Sequence, residues 1–242
     1  MKKEILKRNL ENCNPRDNED MPVIDLINKI NCGQEITLLE VGSGECRFVK
    51  KVASLYPNIK ITCIEVNPEL AQIARELGFE VLNDNILNIH SKKEYDIVHC
   101  AHVIEHFGYP QVTQLLEFLV ASTKKGAYMI IRSPLMHRDF YIDIDHVRPY
   151  PPDAILNYFY LSQQQTQGKA KPQTETIWYR TVPKKIDYLS TSDYLYLLSP
   201  LRRYINWCIR QVNNLFSYTW NKYRMPSSHP TGYVLILRIN EK

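Results

Sequence analysis

The stretch Leu38-Leu39-Glu40-Val41-Gly42-Ser43-Gly44-Glu45-Cys46-Arg47, followed by Ile61-Thr62-Cys63-Ile64-Glu65-Val66, decides the fold of this chain. An apolar run enters a turn with two glycines, a helical segment from Glu45 to Leu55 follows, and the next apolar run closes on a carboxylate. Gly42 and Gly44 carry no Cβ, so the backbone can turn sharply and let a ligand reach the amide groups that open the helix. Glu65 lies about 20 residues further on, at a strand end where a carboxylate can accept both hydroxyls of a ribose. The spacing describes a nucleotide-sized cradle.

Two readings of the cradle diverge at specific positions. A dinucleotide site uses Gly-x-Gly-x-x-Gly to pack a helix closely beneath a pyrophosphate, but here Arg47 stands three residues after Gly44. Glu40, two residues before the first glycine, would repel a phosphate and attract a cation. S-adenosylmethionine carries an ammonium, a sulfonium and no phosphate.

At this point the chain resembles the class I S-adenosylmethionine-dependent methyltransferases, and the resemblance extends over roughly residues 35 to 160. The acidic-x-Gly-x-Gly pattern matches Glu40, Gly42 and Gly44, and the acidic ribose clamp matches Glu65. Asn83-Asp84-Asn85-Ile86-Leu87 resembles the motif after the third strand, which implies that Asp84 binds the adenine amino group. Tyr95 to His106 resembles the fourth-strand motif with its Glu-His ending, and Lys124 to Pro134 resembles the turn and fifth strand. The resemblance implies a cofactor set of Glu40, Gly42, Ser43, Gly44, Glu65, Val66, Asp84, Asn85 and Ala101. Two positions depart from the pattern. Cys46 stands where many members carry a third glycine, and Ala127 replaces the second glycine before strand five.

The implied fold is an α/β, doubly wound, seven-stranded Rossmann-like sheet with its last strand antiparallel and a helical insertion between strands six and seven. Strands are expected near 35–41, 60–66, 78–82, 95–101, 127–132, 174–182 and 233–239. Helices are expected near 22–30, 45–55, 68–77, 111–122 and 152–160. The strands are continuous apolar runs, as a parallel sheet buried on both faces requires. Asn67 and Pro68 supply an N-cap and a first helical position. The 242 residues, 44% of them hydrophobic, suffice for one substantial core. The organisation expected is a polar, mobile arm over 1–20 and a single domain over 21–242, with the insertion at about 186–228. Ser162 to Lys171 reads as a polar loop.

The six cysteines, at 13, 32, 46, 63, 100 and 208, form no Cys-x-x-Cys pair and read as reduced core thiols, Cys46 and Cys100 among them. The basic start, Met1 to Asn9, is followed by no apolar segment of a secretory signal, so a cytoplasmic location is expected. No run approaches the ~18 uncharged apolar residues of a membrane span.

The insertion concentrates charge. Between residues 190 and 225, Arg202, Arg203, Arg210, Lys222 and Arg224 face the single acid Asp193, which accounts for the net charge of +4 of the whole chain. Leu201, Tyr204, Ile205, Cys208, Ile209, Val212, Leu215 and Phe216 recur at helical spacing, and Trp207, Tyr218, Trp220 and Tyr223 lie nearby. Two readings stay open: a helix over 199–224 lying on an anionic membrane surface or docking a lipid-linked substrate, and a helix packing its apolar stripe on the sheet domain. One basic patch falls short of a nucleic-acid footprint.

Methyl transfer is an in-line displacement in which the protein aligns donor and acceptor, and a base helps when the nucleophile is a hydroxyl. His106, beyond strand four, His146 and its neighbour Asp145 are the candidate catalytic residues. His102 lies beside the methionine end of the cofactor site, and Glu105 reads as a tie for the loop. Asp143 to Tyr150 resembles the His-x-Arg-x-aromatic stretch of methyltransferases associated with sugars and cell-surface glycans. The implied acceptor is a hydroxyl on a sugar, glycolipid or small metabolite. Each histidine also has a purely structural reading, as a hydrogen-bond donor that holds its loop. No spacing in the sequence defines a metal site. A binding module without catalysis and an NAD-dependent oxidoreductase are the alternatives.

Overall fold

The structure is a computed structural model and describes residues 19–90, 93–137, 140–160, 167–181, 199–222 and 230–241. Two compact units result, one of residues 1–180 with 231–242 and one of residues 181–230.

The first unit begins with α1 (Met21–Ile30), which buries Val23, Ile24, Leu26 and Ile27 as the helical spacing requires. The alternating elements β1 (Ile36–Val41), α2 (Arg47–Leu55), β2 (Ile59–Ile64), α3 (Pro68–Glu76) and β3 (Glu80–Leu82) follow. Asn67 caps α3, its side chain accepting from the amides of Glu69 and Leu70, and Pro68 occupies the first turn, where its missing N–H costs nothing. The chain continues through β4 (Tyr95–Ala101), α4 (Gln111–Ser122), β5 (Thr123–Pro134), α5 (Pro152–Tyr160), β6 (Gln173–Thr181) and β7 (Pro230–Ile239).

The sheet has seven strands in the order β3-β2-β1-β4-β5-β7-β6. β1 pairs in parallel with β2 and β4, β4 in parallel with β5, and β7 runs antiparallel to β5. Side-chain alternation sends Leu39, Val98 and Ile131 into one apolar cluster with α4 and α5. Leu38, Ile97 and Ile130 enter a second with α1 and α2. Burial on both faces is why these strands are apolar throughout. β5 starts earlier than the glycine turn suggests. Thr123 already pairs with Tyr95, and the register shifts between Tyr95 and Ile97 while Gly126 takes φ 79°. The Lys124-Lys125-Gly126 turn is thereby absorbed into an irregular strand.

The order reverses between β1 and β4, so the crevice beyond their carboxyl ends is where an open α/β sheet places a ligand.

The second unit contributes α6 (Ser199–Lys222). Along it Tyr204, Val212, Leu215 and Phe216 are exposed, Ile205, Cys208 and Ile209 are half-buried, and Asn213 is buried. Tyr204 and Trp207 stack on each other with centroids 6.1 Å apart. No helix among the described residues is long and apolar enough to cross a membrane.

Of the expected polar arm, residues 1–18 lie outside the described residues, as do most of the polar loop and Tyr223 and Arg224. Nothing describes the side chains of Leu201, Arg202, Arg203, Trp220 and Lys222. Glu19 and Asp20, assigned to a mobile arm, are anchored. Arg132 reaches Glu19 at 3.0 Å and Asp20 at 2.9 Å, Arg180 reaches Glu19 at 2.9 Å, and Lys51 reaches Asp20 at 2.7 Å. Arg132 projects from the sheet interior almost entirely buried, so its charge requires these carboxylates.

Candidate functional site

The site begins where β1 ends. The amides of Gly42 and Ser43 donate to the carbonyl of Ile64, tying the turn to the end of β2. Gly42 has φ 74° and packs so closely against the loop after β4 that a Cβ there would lie 2.4 Å from Cγ2 of Val103. Gly44, with φ 50°, faces open space. Cys46, the departure from the glycine pattern, itself takes the left-handed conformation at φ 60° and forms the N-cap of α2 without a side-chain hydrogen bond. A third glycine would adopt this conformation more cheaply, but the thiol is fully buried and packs in the core. Burial pushes the thiols of Cys46 and Cys100 up, away from a reactive thiolate.

Glu65 closes the turn from the other side. Its Oε2 accepts from the amide of Gly44 at 2.7 Å and its Oε1 from the amide of Asn67 at 3.0 Å. Each oxygen keeps a second lone pair for a ligand hydroxyl. Asn83 donates to the carbonyl of Glu65, bringing the segment after β3 alongside. There Asp84 accepts from the amide of Asn85 and the side chain of Asn88, and Asn85 caps the short turn Ile86–Asn88.

These groups line one cavity of about 390 Å³. Gly42, Gly44, Glu65, Val66, Asp84 and Asn85 form part of its wall, with Ile64, Leu70 and Ile86 as apolar neighbours and His102, Val103, His106 and Phe107 opposite. Ser43 and Ala101 sit beside it without lining it. Glu40, read as an attractor for a cation, points elsewhere: its Oε2 lies 2.7 Å from Nδ1 of His99, and both side chains are buried. Val103, Phe107 and Leu70 carried no signal in the sequence beyond being apolar.

The loops after β4 and β5 present three histidines. His102, at φ 55°, lies with Nε2 3.1 Å from Glu19 and Nδ1 3.3 Å from Glu105. Burial alone would lower its pKa, but the two carboxylates outweigh it and raise the value to about 9. His102 is therefore held as an imidazolium, a donor at both nitrogens. Its partner Glu19 was missed, because an acid preceding a helix gives no hint of a distant histidine.

His106 donates from Nδ1 to the carbonyl of Asp145 at 3.1 Å, and His146 donates from Nδ1 to the carbonyl of Phe140 at 2.6 Å. A carbonyl can only accept, so the neutral form of either ring carries its lone pair on Nε2. The rings meet edge to face with centroids 5.0 Å apart. The structure thus brings His106 and His146 together, while Asp145 takes part through its backbone and leaves its carboxylate exposed. The amides of Val147 and Arg148 donate to the carbonyl of Glu105, which pins the loop carrying His146 to the loop carrying His106. Tyr150 adds a bond to the carbonyl of Phe107 at 2.9 Å.

A sheet of this order, with a glycine turn, an acid at the end of β2 and a cavity beyond the switch point, defines the class I methyltransferase fold. Residues 39–129 match the methyltransferase domain family. Over that segment the chain is similar to methyltransferase domains, and its fold is that of solved S-adenosylmethionine-dependent methyltransferases. A SAM-dependent methyltransferase from Archaeoglobus fulgidus has 20% identity over 91% of this chain and 94% of its own, with a TM-score of 0.54. The N-methyltransferase NodS from Bradyrhizobium japonicum, solved with S-adenosyl-L-homocysteine, has 13% identity over 96% and 91%, with a TM-score of 0.56. An O-methyltransferase family protein from Burkholderia thailandensis has 14% identity over 65% and 52%, with a TM-score of 0.51. At these identities the likeness is one of fold. No curated protein matches the chain.

Proposed function

We propose that this protein transfers the methyl group of S-adenosylmethionine to a hydroxyl of a small molecule, a sugar or a glycolipid. The observation that carries the reading is the convergence of Gly44, Glu65 and Asp84 on one cavity whose far wall holds His106. Glu65 accepts the two ribose hydroxyls through its free lone pairs, and Asp84 accepts from the adenine amino group. Ile64, Val66, Leu70 and Ile86 offer the apolar walls that an adenine ring needs. Ser43, Asn85 and Ala101 complete the surroundings of the cofactor. Glu40 acts beneath the turn, through His99, rather than on the ligand. The acceptor sits against His106 and His146, with Asp145 fixing the ring of His106 through its carbonyl.

Isothermal titration with S-adenosylmethionine tests the cofactor half, and binding at micromolar concentration is expected. Incubation of cell extract with methyl-tritiated cofactor, fractionated into lipid, polysaccharide, protein and nucleic acid, tests the acceptor half. Label is expected in a lipid, polysaccharide or small-molecule fraction. Binding without label in any fraction supports a non-catalytic module instead, and label confined to protein or nucleic acid overturns the acceptor assignment.

A membrane contact is supported by a separate observation. Tyr204, Trp207, Leu215, Phe216 and Tyr218 are exposed on α6, and Arg210 is exposed on the same helix. Exposed aromatic and apolar side chains together with a cation suit an interfacial helix on an anionic lipid surface. Sedimentation with anionic but not neutral vesicles is the expected result.

A further inference from the structure

Glu105, His106 and His146 come from two loops and converge beside the cavity, each offering a ligand atom within 4.8 Å of the others. We infer that these three residues bind a divalent transition-metal ion, of the zinc, cobalt or manganese type, and that the ion activates the acceptor hydroxyl. The inference rests on the methyl-transfer reading for its purpose, but the site itself stands on its own geometry.

Three observations point to a ligand. First, each histidine has its Nδ1–H committed to a backbone carbonyl, Asp145 for His106 and Phe140 for His146. That outer arrangement fixes the tautomer and ring orientation of metal-ligating histidines and leaves Nε2 as the donor atom. Second, Glu105 is completely buried, its Oε2 accepting from the hydroxyl of Ser133 at 3.2 Å and its Oε1 meeting His102 at 3.3 Å. A carboxylate engaged once at each oxygen keeps lone pairs for a further ligand. Third, the backbone is braced for the convergence, since the carbonyl of Glu105 itself accepts from the amides of Val147 and Arg148, the two residues that follow His146.

Two imidazoles and one carboxylate form a donor set that suits borderline cations and leaves further positions open. Bonds of about 2.1 Å draw the three donors to roughly 3.3 Å from one another. Small side-chain rotations supply that contraction. Asp143 lies with Oδ2 3.7 Å from Nε2 of His146 and is the nearest additional oxygen donor. An open position faces the cavity, because His106 lines it. An acceptor hydroxyl on the ion loses its proton to solvent more readily. Its oxygen then forms a bond to the methyl carbon as the carbon–sulfur bond breaks, and that bond's electron pair stays on sulfur, leaving S-adenosylhomocysteine.

The test uses the full chain after treatment with a chelator, titrated with cobalt(II) chloride and followed by visible absorption and calorimetry. One ion per chain is expected, with competition by zinc. His146→Ala and His106→Asn are expected to weaken binding by more than about 100-fold with unchanged circular dichroism, while His90→Ala, at an exposed position outside the cavity, binds as the unmodified protein does. Two variants on different loops guard against one of them failing to fold. Absence of cobalt and zinc binding to the folded chain overturns the inference, as does affinity in both histidine variants equal to that of the unmodified protein. A parallel titration of the metal-free chain with S-adenosylmethionine separates this failure from that of the function. Cofactor binding without metal binding removes the ion alone, and metal binding without cofactor binding leaves the site but removes the methyl-transfer reading.

Discussion

Glu40 on β1 and His99 on β4 face each other in register, and their side chains meet at 2.7 Å in the interior of the sheet. An acid that the glycine motif associates with the ligand is thereby committed to the protein. Phe48 covers the imidazole with its ring centroid 4.4 Å away, so water does not replace the carboxylate. Glu40→Ala strands a buried polar ring and is expected to cost about 1–3 kcal/mol of stability. Urea denaturation measures it. A variant of unchanged stability that no longer binds S-adenosylmethionine would move Glu40 back to the ligand.

The two glycines of the turn predict different failures. Gly42→Ala sets a Cβ 2.4 Å from Val103 on a backbone of positive φ, so both strain and a clash arise. The expected loss is about 2–3 kcal/mol, with weaker cofactor binding as Val103 shifts toward the cavity. Gly44→Ala meets no protein atom within 4 Å, so its stability cost is smaller, about 1 kcal/mol, while the methyl group enters the ligand's space. Thermal melts paired with calorimetry distinguish the two, and a larger stability loss at Gly44 contradicts the assignment of the clash.

Glu65 tests the ribose clamp. Glu65→Ala removes an ionised acceptor for two hydroxyls, each charged hydrogen bond being worth about 1.5–3 kcal/mol, so a drop in cofactor affinity of at least about tenfold is expected. Titration calorimetry reads it directly. Affinity within twofold of the unmodified protein excludes Glu65 from the cofactor site.

Acid sensitivity follows from Glu19. Burial works against its ionised form, but the hydrogen bond with His102 and the charges of Arg132, His102 and Arg180 prevail and hold its pKa at about 2, against an ordinary 4.5. The depressed value means that the native state favours the carboxylate. Its contribution, on the order of 3 kcal/mol at most, is complete above pH about 4.5 and disappears as pH falls toward about 2. The stability difference between the unmodified protein and Glu19→Gln is expected to shrink as pH falls below about 4.5. Denaturation at a series of pH values measures it, and a difference that grows in acid refutes the pairing.

His146→Ala separates chemistry from cofactor binding. The side chain lies outside the wall built from Gly44, Glu65 and Asp84, so S-adenosylmethionine affinity is expected to hold while methyl transfer falls by at least about 100-fold. Single-turnover assays with labelled cofactor provide the measurement once an acceptor is in hand. Unchanged turnover removes His146 from the acceptor site.

The sequence by itself determined the sheet and the near half of the cavity. Apolar runs without alternation demand burial on both faces, and Gly42, Gly44 and Glu65 perform their local tasks within a few residues of a strand end, where spacing along the chain nearly equals spacing in the molecule. Cys46 shows the limit of such reading, since only the folded backbone reveals that a non-glycine residue accepts the left-handed turn. What the tertiary structure alone decided is which charges meet across long separations. Glu40 with His99, Glu19 with His102 and Arg132, and His106 with His146 join residues from different strands and loops. Their pairing depends on strand order and register rather than on any local pattern.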